Sequence, residues 1–142
     1  MNTIRVEHSG HIKRVTLNRP EKRNCMSPKL NRQMKKVLEE LEFRDDVQVL
    51  VLTGEGKAWS AGMDLQEYFR ENEAKGLGAV RKAQRESYGW FERLRWYEKP
   101  TIAMINGWCF GGGYGPLFGC DIAIASEDAQ FGLSEINWGI LP

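Results

Sequence analysis

The sequence predicts an α/β fold in which strands and helices alternate. Two short segments, residues 3–8 and 12–17, alternate apolar and polar side chains on either side of Ser9-Gly10, as the strands of a hairpin do. An amphipathic helix then leads to residues 47–52, VQVLVL, whose β-branched, apolar composition is typical of a buried parallel strand. This order of strand, helix and strand indicates a sheet covered by helices.

The helix between these strands has clear start signals. Ser27 is a suitable N-cap, and Pro28 stands at the first helical position. Apolar residues then recur at helical spacing and form one face: Leu30, Met34, Val37, Leu38 and Leu41.

The rest of the chain continues the alternation. Small residues predict a loop at 58–65. The remaining predicted elements are a brief helix at 66–73, a long helix at 80–97, a third buried strand at 101–105, a glycine turn at 107–113, a helix at 114–120 and a fourth strand at 121–125. Asp121 is expected at a strand edge or as a capping residue.

The composition fits one ordinary domain. The chain has 142 residues, of which 42% are hydrophobic and 27% charged, so a globular core is feasible. A formal net charge of +1 gives no electrostatic basis for nucleic-acid binding. No apolar run approaches the roughly twenty residues of a membrane span, and the polar N-terminus lacks the apolar centre of a signal peptide. We therefore expect a cytoplasmic protein with no nucleic-acid or membrane partner.

Cysteine and histidine usage argues against thiolate or imidazole chemistry. Cys25, Cys109 and Cys120 are odd in number and form no CxxC pair, so free thiols are expected rather than disulfides or a metal site. The two histidines, His8 and His11, lie together in the hairpin. Neither a histidine-activated nucleophile nor a histidine-rich metal centre is expected.

Residues 103–113, AMINGWCFGGG, are the first candidate for chemistry. Gly111, Gly112 and Gly113 stand between a strand and a helix, where the backbone can approach a ligand and present N–H groups to it. A phosphate-binding loop is disfavoured, because the spacing completes neither GxGxxG nor GxxxxGK[ST]. Close packing at a strand-to-helix bend remains the alternative.

A second loop of small residues, 59–65, also follows a buried strand. Two backbone N–H groups that converge from separate loops form an oxyanion hole, which stabilises developing negative charge. Asp64 in this loop is interpreted as an N-cap for the next helix rather than as an acid.

Glu135 is the preferred acid/base candidate. It stands among apolar and aromatic residues, which disfavour the charged form of a carboxyl group and suit it to general acid/base catalysis: Phe131, Leu133, Ile136 and Trp138. The alternative is an ordinary glutamate in the first turn of a helix after Ser134.

Several other residues allow both a binding and a structural interpretation. Tyr68, Tyr114, Trp90 and Trp108 can line an aromatic pocket, although core packing is the default for such side chains. Lys22, with its neighbour Arg23, can meet an anionic ligand or form a solvated charge cluster.

Taken together, four ordered motifs resemble the crotonase family, also called the enoyl-CoA hydratase/isomerase family. They are LNRPEKRNCMS, VLVLTGEGKAWSAGMDL, KPTIAMINGWCFGGG and CDIAIASEDAQFGLSEINWGI. The resemblance covers essentially the whole chain and implies a ββα spiral core. Within the family the motifs are most similar to those of the hydroxycinnamoyl-CoA hydratase-lyases, which convert feruloyl-CoA to vanillin and acetyl-CoA.

The resemblance implies roles for individual residues. The backbone N–H groups of Met63 and Gly112 would form the oxyanion hole for the thioester carbonyl, and Glu135 would be the acid/base. Further contacts are implied with coenzyme A at Lys22, Ala61, Met63 and Leu65, with the phenolic end of the substrate at Tyr68, and along the acyl pocket at Ser134 and Trp138. No cofactor is expected, because coenzyme A is part of the substrate, and no metal.

Two features depart from the family pattern. Ordinary enoyl-CoA hydratases carry a second glutamate, and the hydratase-lyases a serine, where this chain has Gly115. Family members are also much longer, and their second half supplies helices that cap the site and build homotrimers or hexamers. We therefore expect residues 1–142 to form a single, incomplete N-terminal spiral domain, truncated before the C-terminal helical region. An inactive chain that binds CoA esters and an aliphatic enoyl-CoA hydratase or isomerase stay as alternatives to the lyase.

Overall fold

The predicted hairpin is present and forms one edge of the main sheet. The computed structural model describes residues 2–139, apart from the side chain of Trp138. The strands are β1 (Ile4–Ser9), β2 (Ile12–Leu17), β3 (Val49–Gly54), β4 (Ala58–Ser60), β5 (Thr101–Ile105), β6 (Trp108–Phe110), β7 (Ile122–Ala125) and β8 (Phe131–Gly132). The α-helices are α1 (Pro28–Glu42), α2 (Glu71–Ala74), α3 (Leu77–Arg95) and α4 (Tyr114–Gly119). β1 and β2 pair antiparallel, with Ile4 opposite Leu17.

The main sheet has five strands in the order β1-β2-β3-β5-β7. From β2 onward all neighbours are parallel, as predicted for the apolar strands. Leu52 of β3 lies opposite Val15 on one side and Ala103 on the other. β3 begins at Val49 rather than at residue 47, because the Val47 N–H donates to the Arg44 carbonyl in the preceding turn.

A second sheet, in the order β4-β6-β8, was not predicted. The expectation of a loop throughout residues 58–65 is wrong at Ala58–Ser60, and the expected glycine turn at 107–113 contains a strand at Trp108–Phe110. These strands have two or three residues each, too few for a periodic pattern, and only their pairing with one another defines them. Each follows a strand of the main sheet along the chain: β4 after β3, β6 after β5 and β8 after β7.

The predicted helices are confirmed with shifted boundaries. The Ser27 Oγ accepts a hydrogen bond from the Leu30 N–H at 3.2 Å, which makes it the N-cap of α1. The brief helix predicted at 66–73 consists of a wide helical segment, Leu65–Arg70, followed directly by α2. We call Leu65–Arg70 the cavity-wall helix.

The core lies between one face of the main sheet and the pair α1 and α3. It is filled by fully buried side chains from both layers: Val15, Leu17, Leu50 and Leu52 from the sheet, Leu30, Met34 and Leu38 from α1, and Trp90 and Leu94 from α3. The indole N–H of Trp90 donates to the Asn31 Oδ1 at 3.0 Å, so the polar atom of the largest core residue on α3 is satisfied within the core.

Apolar surface is exposed near the far edge of the main sheet. All four residues of β7 are exposed, and Phe118 and Ile136 are 75% and 80% exposed.

At the start of β7 the Asp121 carboxylate accepts hydrogen bonds from the Thr101 N–H and hydroxyl, which confirms its interpretation as a capping residue. None of the helices formed by the described residues combines the length and the apolar character needed to cross a bilayer.

Leu52→Ala is expected to lower the free energy of unfolding by about 2–5 kcal/mol, because it opens a cavity in a fully buried part of the central strand. Leu77→Ala makes the same chemical change at a side chain that is 74% exposed, and should alter stability by less than about 0.5 kcal/mol. Urea unfolding of both variants measures the difference. Equal effects would contradict the placement of the core.

Candidate active site

A cavity of about 440 Å³ opens where the ends of the small strands meet the cavity-wall helix. The predicted site residues Ala61, Met63, Leu65, Gly112, Ser134 and Glu135 all line it, together with Phe69, Arg70, Glu73 and Gly111. The structure therefore brings together, in one space, most of the residues that the motifs single out.

The two predicted loops touch through their backbones. Gly62 has a φ of +90°, and a Cβ atom on it would lie 2.9 Å from both the Gly112 nitrogen and the Phe110 carbonyl oxygen. A Cβ atom on Gly112 would in turn lie 3.4 Å from the Met63 nitrogen. Glycine at position 62 thus permits both the left-handed conformation and the close approach.

The hydrogen bonds of the residues around Met63 determine where its N–H group points. The Met26 N–H donates to the Gly62 carbonyl at 2.7 Å, and the Asp64 N–H donates to the Met26 carbonyl at 3.0 Å. In an extended chain successive N–H groups point to opposite sides. The Met63 N–H therefore points away from Met26, to the side where Gly112 lies. The Met63 N–H therefore lies on the side of its loop that faces the Gly112 backbone, and an oxyanion hole is built from N–H groups of two such loops.

Glu135 lies against this pair of loops. Its side chain comes from the short 3-10 turn Ser134–Trp138, and a Cβ atom on Gly111 would lie only 2.7 Å from its Oε1. Gly111 has a φ of +52°, so glycine at this position permits both the left-handed conformation and the close approach of the Glu135 side chain. The Glu135 Oε2 is buried and has no hydrogen-bond partner among the described residues. A carboxylate oxygen left free beside donor groups is available for proton transfer.

Tyr68, for which the resemblance implies a contact with the phenolic end of the substrate, is not among the residues that line the cavity. Its side chain is buried beneath the cavity-wall helix, and its hydroxyl lies 2.9 Å from the Ser87 Oγ. Burial raises the pKa of Tyr68 above its usual value. The neighbouring Phe69 presents the aromatic ring on the cavity wall instead.

Sequence reasoning also missed Arg70 and Glu73, which line the cavity with Phe69. The sequence contains a signal for Phe69 and Glu73. Leu65, Phe69 and Glu73 follow one another at intervals of four residues, which places them on one face of a helix.

Lys22 and Asp64 lie at the back of the cavity wall. Lys22 does not line the cavity, and its Nζ lies 3.6 Å from the carboxylates of Asp64 and Glu67. Asp64 is the N-cap that the sequence predicts, because its Oδ1 accepts from the N–H groups of Gln66 and Glu67. The predicted site residue Trp138 has its side chain outside the described part of the chain.

Gly115 leaves room for an aromatic ring. A Cβ atom at this position would lie 2.6 Å from the Phe91 Cε2, so any larger residue requires the Phe91 ring to move. The Phe91 ring of α3 therefore packs against the Gly115 backbone. This is the position at which enoyl-CoA hydratases, by the resemblance, carry a second glutamate.

The cysteines are free, as predicted. Burial raises the pKa of the Cys109 thiol to about 11, so this thiol stays protonated at neutral pH. Within residues 2–139 no group of three or more histidine, cysteine, aspartate or glutamate side chains is arranged to hold a metal ion.

Comparison with known proteins gives consistent matches along the chain. The enoyl-CoA hydratase/isomerase family model matches residues 7–142. A hydroxycinnamoyl-CoA hydratase-lyase from Pseudomonas fluorescens is 60% identical over 141 residues, which are 99% of this chain and 51% of that protein. A short-chain-enoyl-CoA hydratase from Clostridium acetobutylicum is 37% identical over all of this chain and 53% of its own length.

Solved structures agree with these sequence matches. The structure of Pseudomonas aeruginosa AtuE has a TM-score of 0.92 at 35% identity, and the match covers 99% of this chain and 54% of that one. The chain spans about half the length of the curated relatives it matches.

Gly62→Ala is expected to be far more damaging than Gly76→Ala. Both glycines have a φ near +90°, but a Cβ atom meets nothing within 4 Å at Gly76 and two backbone atoms at 2.9 Å at Gly62. The shared conformational strain should cost each variant about 1–2 kcal/mol of stability. Separation of the loops should cost Gly62→Ala about 1–3 kcal/mol more. Chemical unfolding of the two variants measures this difference, and equal losses would show that the loops do not touch.

Proposed function

Because this chain belongs to the enoyl-CoA hydratase/isomerase family, we propose that it hydrates hydroxycinnamoyl-CoA thioesters and then cleaves the product by a retro-aldol reaction. With feruloyl-CoA as substrate, the products would be vanillin and acetyl-CoA. The observation that carries the proposal is the position of Glu135, whose carboxylate lies against Gly111 in the cavity that Met63 and Gly112 also line.

In the first step Glu135 takes a proton from water, and the resulting hydroxide adds to the β-carbon of the enoyl thioester. Electrons move through the double bond to the carbonyl oxygen, which becomes an enolate held by the N–H groups of Met63 and Gly112. Glu135 then returns the proton to the α-carbon, which gives the β-hydroxy thioester and restores the carboxylate. Water is added across the double bond with no other reactant.

In the second step the same carboxylate removes the proton of the β-hydroxyl group. The Cα–Cβ bond breaks, the aldehyde leaves, and the electron pair forms the enolate of acetyl-CoA at the same two N–H groups. Protonation of that enolate at carbon gives acetyl-CoA and restores Glu135. The buried Oε2 of Glu135, which has no hydrogen-bond partner among the described residues, supports a mechanism in which this one carboxylate serves both steps.

Three features favour cleavage of an aromatic substrate over simple hydration of an aliphatic enoyl-CoA by two carboxylates. Phe69 lines the cavity and provides an apolar, aromatic wall. Phe91 fills the space beside Gly115, where two-carboxylate hydratases of the family would carry their second glutamate. The hydratase-lyase relative is also much more similar, at 60% identity, than the short-chain hydratase at 37%.

A chain that binds CoA thioesters without turnover is the second candidate. We further propose coenzyme A contacts at Ala61, Leu65 and Lys22, no cofactor beyond the substrate, residence in the cytoplasm, and assembly into homotrimers or hexamers.

Glu135→Gln is expected to lower the rate of vanillin formation from feruloyl-CoA by about 10²–10⁴-fold, because the amide cannot accept the proton from water or from the β-hydroxyl. Binding of the thioester should persist, since Gln keeps the shape of the side chain. Glu127→Gln, at an exposed glutamate that precedes β8 and does not line the cavity, is the matched control and should leave the rate unchanged.

Chromatographic detection of vanillin and acetyl-CoA, with crotonyl-CoA as a parallel substrate, separates the candidates. Turnover of feruloyl-CoA by Glu135→Gln at the wild-type rate would refute the role of this residue. Faster turnover of crotonyl-CoA would favour the aliphatic hydratase. Tight binding with no product from either substrate would favour the binding chain.

A further inference from the structure

Arg19 is a buried cation that none of the proposed steps uses. It lies just after β2 and is only 7% exposed. Its guanidinium lies 3.1 Å from the Asp64 Oδ2 and 2.8 Å from the Glu67 Oε1, and it donates to the Cys25 carbonyl at 2.8 Å. One side chain therefore connects the segment before α1 with the start of the cavity-wall helix.

Asp64 receives this guanidinium and uses both of its carboxylate oxygens. Oδ1 accepts the two N–H groups at the start of the cavity-wall helix, at 3.1 and 2.9 Å, while Oδ2 faces Arg19. Burial alone would raise the pKa of Asp64, but the Glu67 N–H, the Cys25 thiol and the cations Lys22 and Arg19 together bring it below its usual value. The carboxylate is therefore charged at neutral pH, and Arg19 is its buried counterion.

Asp64 directly follows Met63, whose N–H group is half of the proposed oxyanion hole. The Met63 peptide is held on one side by the bond from Met26 to the Gly62 carbonyl, and on the other by the bond from Asp64 to the Met26 carbonyl. Arg19 holds both partners of the second bond in place, because it binds the Asp64 side chain and the carbonyl of Cys25, next to Met26.

Arg19 is itself fixed by the backbone around it. Its N–H donates to the Asn24 Oδ1 at 2.9 Å, and Asn24 is fully buried at a φ of +55°. The Asn24 amide donates in turn to the carbonyls of Glu55 and Ala58, on the two sides of the turn between β3 and β4. The backbone of Arg19 is thus anchored, through Asn24, to the turn and the strand that lead into the Met63 loop.

We propose that Arg19 is a positioning residue, which orients the Met63 N–H toward the substrate carbonyl through its buried ion pair with Asp64. This inference rests on the function proposed above and adds a residue outside the cavity to it. Loss of the ion pair leaves a buried carboxylate with Lys22 at 3.6 Å as its remaining cation. The loop is then expected to shift to hydrate Asp64, and the Met63 N–H loses its alignment.

The test measures polarisation of the bound carbonyl separately from binding. The probe is 4-dimethylaminocinnamoyl-CoA, whose absorption band moves to longer wavelength when its carbonyl oxygen accepts strong hydrogen bonds. Arg19→Gln should bind this probe within about threefold of the wild-type affinity, because the cavity lining is unchanged, yet lose at least half of the red shift. Arg19→Lys, which keeps the charge, should recover part of the shift.

Two further variants control for folding and for charge. Asp64→Asn keeps an oxygen for the helix cap but removes the charge, and should lose the red shift as Arg19→Gln does, which tests the pair even where Arg19→Gln fails to fold. Arg32→Gln removes an arginine that pairs with Glu86 at the surface, at 3.0 Å, and should keep both affinity and shift.

A full red shift in Arg19→Gln and Asp64→Asn would overturn the proposal. So would a loss of affinity as large as the loss of shift, because a general structural role would reduce both together. Absence of any binding by the wild-type chain would instead refute the proposed function, so the two failures are distinguishable.

Discussion

The close contact between two backbone segments is the constraint on which the rest of the site depends. Gly62 lies so near to the Gly112 nitrogen that no side chain fits between them. This contact is possible because the strands that lead into the two segments are neighbours in the same sheet. β4 pairs in parallel with β6, and the Met63 loop and the glycine turn leave these strands side by side.

The same arrangement repeats three times along the chain. β3 and β4 lead to Met63, β5 and β6 lead to Gly112, and β7 and β8 lead to Glu135. The three strands of the small sheet keep the order of the main-sheet strands that precede them. Parallel strands end at a common edge, so residues far apart in the sequence arrive at one cavity. Met63, Gly112 and Glu135 thus reach one cavity through the same order of elements, a main-sheet strand followed by a small-sheet strand and a turn.

Much of this could be predicted from the sequence, because many signals are local. The hairpin has a period of two, α1 has a cap and a helical apolar face, and the glycine motifs identify both loops that form the cavity. The second sheet could not be predicted, since strands of two or three residues carry no period and exist through long-range pairing. The placement of Tyr68 was unpredictable for a related reason. Its hydroxyl meets Ser87 of α3, and only the packed structure brings these two residues together.

Two carboxylates near the cavity, Asp64 and Glu135, differ in what their oxygens contact, and this difference suits one to a structural role and the other to catalysis. Asp64 directly follows Met63 and Glu135 lies against Gly111, but Asp64 has its oxygens occupied by Arg19 and by the helix start. Glu135 keeps one buried oxygen without a partner. The Asp64 oxygens are therefore committed to holding the structure, whereas the free oxygen of Glu135 can contact a substrate or a water molecule. Since Phe91 fills the space beside Gly115, the described residues offer no second acid there. Under the proposed chemistry, both proton transfers are assigned to Glu135 beside Gly111, first from water and then from the β-hydroxyl group, and not to the exposed Glu73 that also lines the cavity.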